Sequence, residues 1–150
     1  MVIDKARILA HLHSLIEEKI RIAEENIRST IASRDSDSKS TAGDKHEVGR
    51  AMAQIELEKQ ETQLAKLRSL KADLDRMPLD RKFEEVGFGS LVTTDQGTYF
   101  IAIGLGAIDM DGEKLYAISL QSPIGETLAG KQVGDEVVFG GKRQRILKIE

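Results

Sequence analysis

Two long stretches with a helical hydrophobic period, followed by a series of short β-favouring runs, predict an α+β protein. A long antiparallel coiled-coil hairpin comes first, then a small domain built on a mainly antiparallel sheet. The change of period falls at Met77-Pro78. A proline there stops a helix, because it lacks the N–H and restricts the residue before it.

In the first stretch, residues 4–31, Leu9, Leu12, Ile16, Ile20, Ala23, Ile27 and Thr30 recur at spacings of three and four. Glu, Lys and Arg fill the other faces. In residues 45–76 a second stripe is formed by Ala53, Leu57, Gln60, Leu64, Leu67, Leu70 and Leu74, flanked by Met52 and Ile55. Both stripes are narrow, which suits a two-stranded seam better than a globular helix face. Between them lies the polar segment SRDSDSKSTAGD, which lets the chain reverse so that the stripes face each other. At 1.5 Å per residue each arm extends about 40 Å, with the loop at the far tip.

The segment LDRKFEEVG reads as a linker, and the boundaries are residues 1–77 for the hairpin, 78–86 for the linker and 87–150 for the sheet domain. Its strands are SLVTT, TYFIAIG, KLYAISL, EVVF and QRILKI, with DQG and DMDGE as hairpin turns. SPIGETLAG is the one short helix: Ser122 caps it, Pro123 takes the first helical position and Gly130 marks the stop.

Composition narrows the function. The 150 residues are 40% hydrophobic and 31% charged, as expected of a globular chain. There is no Cys, so disulfides and thiolate metal sites are excluded, and three His without thiols make a structural zinc site a poor fit. The opening residues lack the apolar core of a signal peptide, and no apolar run reaches the roughly 18 residues of a membrane span. A cytoplasmic protein without a membrane partner is expected. The net charge is −3, and neither half carries a basic excess, so a protein partner is favoured over a direct grip on nucleic acid. Few aromatics argue against a hydrophobic proline-binding pocket. GLGA has no following helix and is a poor phosphate loop, and DMDGE lacks the distal Glu of a calcium loop.

The stretch GDKHEVGR between the two stripes holds two carboxylates, Asp44 and Glu47, three residues apart. On a first helical turn they project to the same side. Asp-x-x-Glu is also a capping box, in which Asp44 caps and Glu47 reaches back to the backbone. The residues alone leave both roles open.

Taken together, SPIGETLAGKQVGDEVVF and GDKHE resemble the signatures of the Gre factors, the bacterial transcript-cleavage factors GreA and GreB. The first is similar to the C-terminal Ser-Pro-Ile helix and Gly-Lys-x-x-Gly-Asp turn, the second to the Gly-Asp-x-x-Glu tip loop. The resemblance extends over nearly the whole chain. It implies an FKBP-like C-terminal domain that docks at the rim of the RNA polymerase secondary channel through Ser122, Pro123 and Ile124. It implies that the coiled coil carries Asp44 and Glu47 to the polymerase active centre. There they would share a Mg²⁺ ion with the polymerase and stimulate cleavage of backtracked RNA, the protein being an accessory factor and not itself an enzyme. Mg²⁺ commonly takes only one or two carboxylates from a protein, so no cofactor would be held stably by the chain alone. Lys45 and Arg50 would lie near the RNA 3′ end, and His46 would be a solvated tip residue. The chain would be a monomer. Where the family continues Asn-Ala-Glu-Tyr, this chain has Val48-Gly49-Arg50-Ala51, and Gln121 stands where an acid often precedes Ser-Pro. Two further readings follow: a channel-binding regulator without cleavage activity, and a coiled-coil interaction module with an unrelated binding domain.

Overall fold

The computed structural model describes residues 4–37 and 43–150, with the side chains of residues 37–46 excepted. Two helices, α1 (Lys5–Asp37) and α2 (Gly43–Asp75), precede a six-stranded sheet. Its strands are β1 (Leu91–Thr94), β2 (Gly97–Ile101), β3 (Gly106–Met110), β4 (Glu113–Ile118), β5 (Glu136–Phe139) and β6 (Lys142–Ile149), with α3 (Pro123–Leu128) between β4 and β5. The chain divides into two compact units. One is the hairpin from His13 to Ala72; the other comprises the sheet, the start of α1 up to Leu12 and the chain from Asp73 onward. Among the described residues no helix is long and apolar enough to cross a membrane.

In the hairpin unit the stripes meet as a thin seam. Ile16, Leu57, Leu64 and Leu67 are buried, whereas Ile20, Ala23, Ile27 and Thr30 are only half-buried. Two helices alone cannot cover a side chain on every side, so full burial is confined to the best-placed leucines and isoleucines. Cross-helix polar contacts accompany the antiparallel seam: Arg68 pairs with Glu24 at 3.5 Å, and Arg34 Nη1 donates to Gln54 Oε1 at 3.4 Å. Along α1, Arg21 bridges Glu18 and Glu25 at 2.5 and 2.6 Å, and its hydrogen bond holds the Glu18 carboxyl below the usual carboxylate range.

Three details depart from the sequence reading. The helices run farther, α1 to Asp37 and α2 from Gly43, so both ends of the predicted loop are helical. Polar residues carry no hydrophobic period, yet a helix continues through them once its first turns are fixed, and Arg34 in the last turn suits the dipole. Ile8, not Leu9, is fully buried at the start of α1. Met52 and Ile55, placed beside the stripe, are 65% and 67% exposed.

The start of α1 is tied into the sheet unit by polar contacts. Asp4 Oδ1 accepts the N–H of Ala6 at 3.0 Å and caps the helix. Arg7 pairs with Asp111 at 2.5 Å, and Lys5 Nζ donates to the Glu150 backbone oxygen at 3.1 Å while lying 4.8 Å from the Phe83 ring centre. Burial there lowers the Lys5 pKa, an effect that the charge of Glu150 partly offsets.

The strand order is β3-β4-β2-β1-β6-β5, and every neighbouring pair is antiparallel except β2 with β4, which is parallel. β3 escaped the sequence reading: GAIDM has a glycine and an aspartate among its five residues, and β-favouring character is weak there. The turn after it, at Asp111 (φ 53°) and Gly112 (φ 80°), has the two left-handed residues of a type I′ hairpin. Alternation along the strands divides the apolar residues between two faces. Val92, Ile101, Ile118 and Ile146 point to one face, where Val86, Leu128 and Val137 complete a core cluster. Phe100, Leu115 and Ala117 are buried on the other.

α3 seats on the first of these faces through a tight exit from β4. Ser122 Oγ donates to the Ser119 carbonyl at 2.7 Å and accepts the Gly125 N–H at 3.1 Å, so one hydroxyl clamps the turn and caps the helix. Pro123 occupies the first turn, where no N–H is needed. Gly125 is the residue that permits this. A Cβ placed there would lie 2.0 Å from the Ser119 carbonyl oxygen and 2.9 Å from Leu120 Cα, both backbone atoms.

Two stability outcomes follow. Phe100→Ala, at a fully buried site, should cost about 3–5 kcal/mol. Both tyrosines of the chain lie in the sheet, so urea unfolding followed by tyrosine fluorescence reads this unit directly. Gly125→Ala should cost at least the roughly 1–3 kcal/mol of overpacking, because the atoms it meets are backbone and cannot rotate away. An unchanged midpoint in the Gly125 variant would show that the α3 turn tolerates a methyl group.

Candidate functional site

The predicted docking residues lie together at the start of α3, with different exposures. Ser122 is half-buried and committed to the turn, Pro123 is exposed, and Ile124 is half-buried against the core cluster. Gln121 is exposed beside them. Leu128, with no exposed surface, anchors the far end of the helix in the core. Gly125, which sequence reasoning passed over as part of a motif, sets how closely the segment lies on the strand exit.

Beside Ile124 a cavity of about 320 Å³ opens on the same sheet face, lined by Tyr99, Tyr116, Ile118, Phe139 and Gln144 among others. The Tyr99 and Tyr116 rings stack with centroids 5.7 Å apart at 26°. They sit directly across the parallel β2–β4 pair, which explains the stacking. Half of the chain's six aromatic residues therefore gather at one place, which the low overall count concealed.

The two acids lie at the other candidate site. α2 starts at Gly43, so Asp44 is inside its first turn and does not precede the helix as a capping residue would. The side chains of Asp44, Lys45 and His46 lie outside the described residues. Glu47 and Arg50 are exposed. Next to them Val48, Met52 and Ile55, spaced to share a face, are 58%, 65% and 67% exposed. Among the described residues no group of three His, Cys, Asp or Glu is placed to hold a metal ion. Asp44 and Glu47 fit Mg²⁺ only as a partial donor set, hard oxygens three residues apart on one helix start, with the rest of an octahedral shell to come from elsewhere.

With this geometry in view, residues 81–150 match the family described as transcription elongation factor, GreA/GreB, C-term. The matched segment contains the whole sheet, α3 and the aromatic cavity. A solved structure of the transcription factor Gfh1 aligns with 91% of this chain and 92% of its own, at 18% identity and a TM-score of 0.36. No curated protein matches the chain. Over residues 81–150, just under half of the chain, the sequence is thus similar to the C-terminal domain of the GreA/GreB transcription elongation factors.

Proposed function

We propose that the chain docks on RNA polymerase through the start of α3 and presents Asp44 and Glu47, from the helical hairpin, at the polymerase active centre by way of its secondary channel. The two carboxylates would help hold a second Mg²⁺ ion and so stimulate cleavage of backtracked transcripts. Lys45 and Arg50 would lie near the RNA 3′ end. The single observation that carries this reading is the family match over residues 81–150, which contains the Ser122-capped helix. It is supported by the two acids falling at the start of α2, on the side of the hairpin where the chain reverses. Two carboxylates leave a Mg²⁺ shell unfilled, so the polymerase supplies the remaining ligands and the catalytic frame. The chain acts as an accessory factor, as a monomer whose two helices already serve each other as partners.

One observation favours a second reading, a channel-binding regulator that does not promote cleavage. Val48, Met52 and Ile55 form an exposed apolar stripe beginning one residue after Glu47. Such a stripe suits a protein contact near the reacting end better than it suits water-mediated hydrolysis.

Mixing the protein with a stalled, backtracked elongation complex and following RNA length separates the two. Asp44→Asn and Glu47→Gln should each reduce cleavage by orders of magnitude with little loss of binding, because an amide oxygen is a poorer Mg²⁺ ligand than a carboxylate. Full cleavage by Asp44→Asn would contradict the carboxylate role. Absence of cleavage in the wild type, restored in part by Val48→Asn with Ala51→Tyr, would assign the loss to the residues after the acids; failure of that rescue would favour the regulator.

Docking has its own check. Pro123 is exposed, so Pro123→Glu should leave the fold intact while weakening polymerase binding by about tenfold, roughly 1.4 kcal/mol. Equal affinity would place the docking contact elsewhere.

A further inference from the structure

The seam of the helical hairpin is interrupted at one layer. Along α2 the stripe runs Leu57, Gln60, Leu64, Leu67, so one polar residue takes a position where its neighbours are leucines. Gln60 Nε2 donates to Glu56 Oε1, one turn earlier, at 3.3 Å. That bond sets the amide, because the reverse orientation would put Oε1 against a carboxylate with no proton to give. Oε1 is left on the other side, buried and without a hydrogen-bond partner.

Across the seam stands Ala23, too short to fill the layer. A cavity of about 220 Å³ lies between the helices there, lined by Ala23, Asn26 and Gln60 among others. Donors on Asn26, Lys59 and Gln63 line the same cavity, yet none bonds to the oxygen. The layer thus combines a packing gap with an unanswered acceptor, and both are relieved when the helices separate and water enters.

The two sides of this layer differ. Toward His13 and Ala72, where the hairpin unit begins and ends, Ile16, Leu64 and Leu67 are buried. Toward the chain reversal, the stripe consists of Ile27, Thr30, Ala53 and Leu57, and only Leu57 is buried. The cross-helix hydrogen bond on that side, from Arg34 to Gln54, is long at 3.4 Å and exposed.

We propose that the Gln60 layer is a joint in the hairpin. Residues 24–36 and 47–59 open and close together as a unit of lower stability, while the seam of Ile16, Leu64 and Leu67 stays shut. Opening exposes a single buried leucine and gives the Gln60 oxygen its water, so a step in local stability falls at this layer. The moving unit carries Glu47 and Arg50. A joint lets those side chains shift against a partner surface without disturbing the rest of the chain. The inference concerns the hairpin alone and holds whether or not the acids meet a metal ion.

Backbone amide hydrogen exchange of the full chain, followed residue by residue by NMR, tests it. Amides of residues 24–36 and 47–59 should exchange roughly tenfold or more faster than those of 13–20 and 63–72, with one step at the Gln60 layer. Gln60→Leu removes the acceptor and restores the leucine stripe. It should slow the first group about tenfold, roughly 1.4 kcal/mol, and leave the second nearly unchanged. If Gln60→Leu self-associates, Gln60→Met, close to glutamine in size, decides by the same criterion. Protection that declines smoothly toward the chain reversal in the wild type is ordinary fraying and would overturn the joint. Equal slowing of both groups in the folded variant, or no slowing at all, would overturn it too.

Discussion

The contact on which the C-terminal unit depends is the approach of Gly125 to the carbonyl of Ser119. Only a residue without a Cβ lets the first turn of α3 come this close to the strand exit, since the methyl of any other residue would meet backbone at 2.0 Å. From that approach the rest follows in order. Ser122 can bridge the turn and cap the helix with one hydroxyl, Leu128 reaches the core between Val86, Val137 and the sheet, and Ile124 is left half-covered beside the aromatic cavity. The segment that the family resemblance associates with docking is thus first a packing solution. Its exposed residue, Pro123, is what remains when packing is satisfied.

The hairpin is governed by the opposite condition, a shortage of cover. Its seam buries a few leucines and isoleucines well and leaves much of its length half-exposed. Stability there comes from the summed effect of a narrow apolar stripe and scattered ion pairs, the exposed ones each worth no more than about 1 kcal/mol. Such a scaffold tolerates acids, bases and even apolar residues at the start of α2, because little is packed against them. That tolerance is why Glu47, Arg50, Val48 and Met52 can all be exposed without a structural reason, and why their chemistry has to be understood through a partner.

Much of the fold was legible because periodicity survives in both halves. Leu57, Leu64, Leu67 and Leu74 fall where the stripe puts them, and five of the strands coincide with β-favouring runs bounded by turn residues. What escaped has identifiable causes. β3 is stabilised by its pairing with β4 and by the Asp111-Gly112 turn, not by its own composition. The polar ends of α1 and α2 carry no apolar signal. Tyr99 and Tyr116 are far apart in sequence and meet only because β2 and β4 pair in parallel, so an aromatic cavity was invisible in a low aromatic count.

The central claim is that this chain brings the start of α2 to the catalytic metal of RNA polymerase. It is tested most directly by replacing the active-centre Mg²⁺ of the polymerase with Fe²⁺ and mapping where locally generated hydroxyl radicals cut the bound protein. Cuts confined to the neighbourhood of residues 43–50, abolished by excess Mg²⁺, are the predicted result. A bound chain that is cut only within residues 81–150, or not cut at all, would contradict the account.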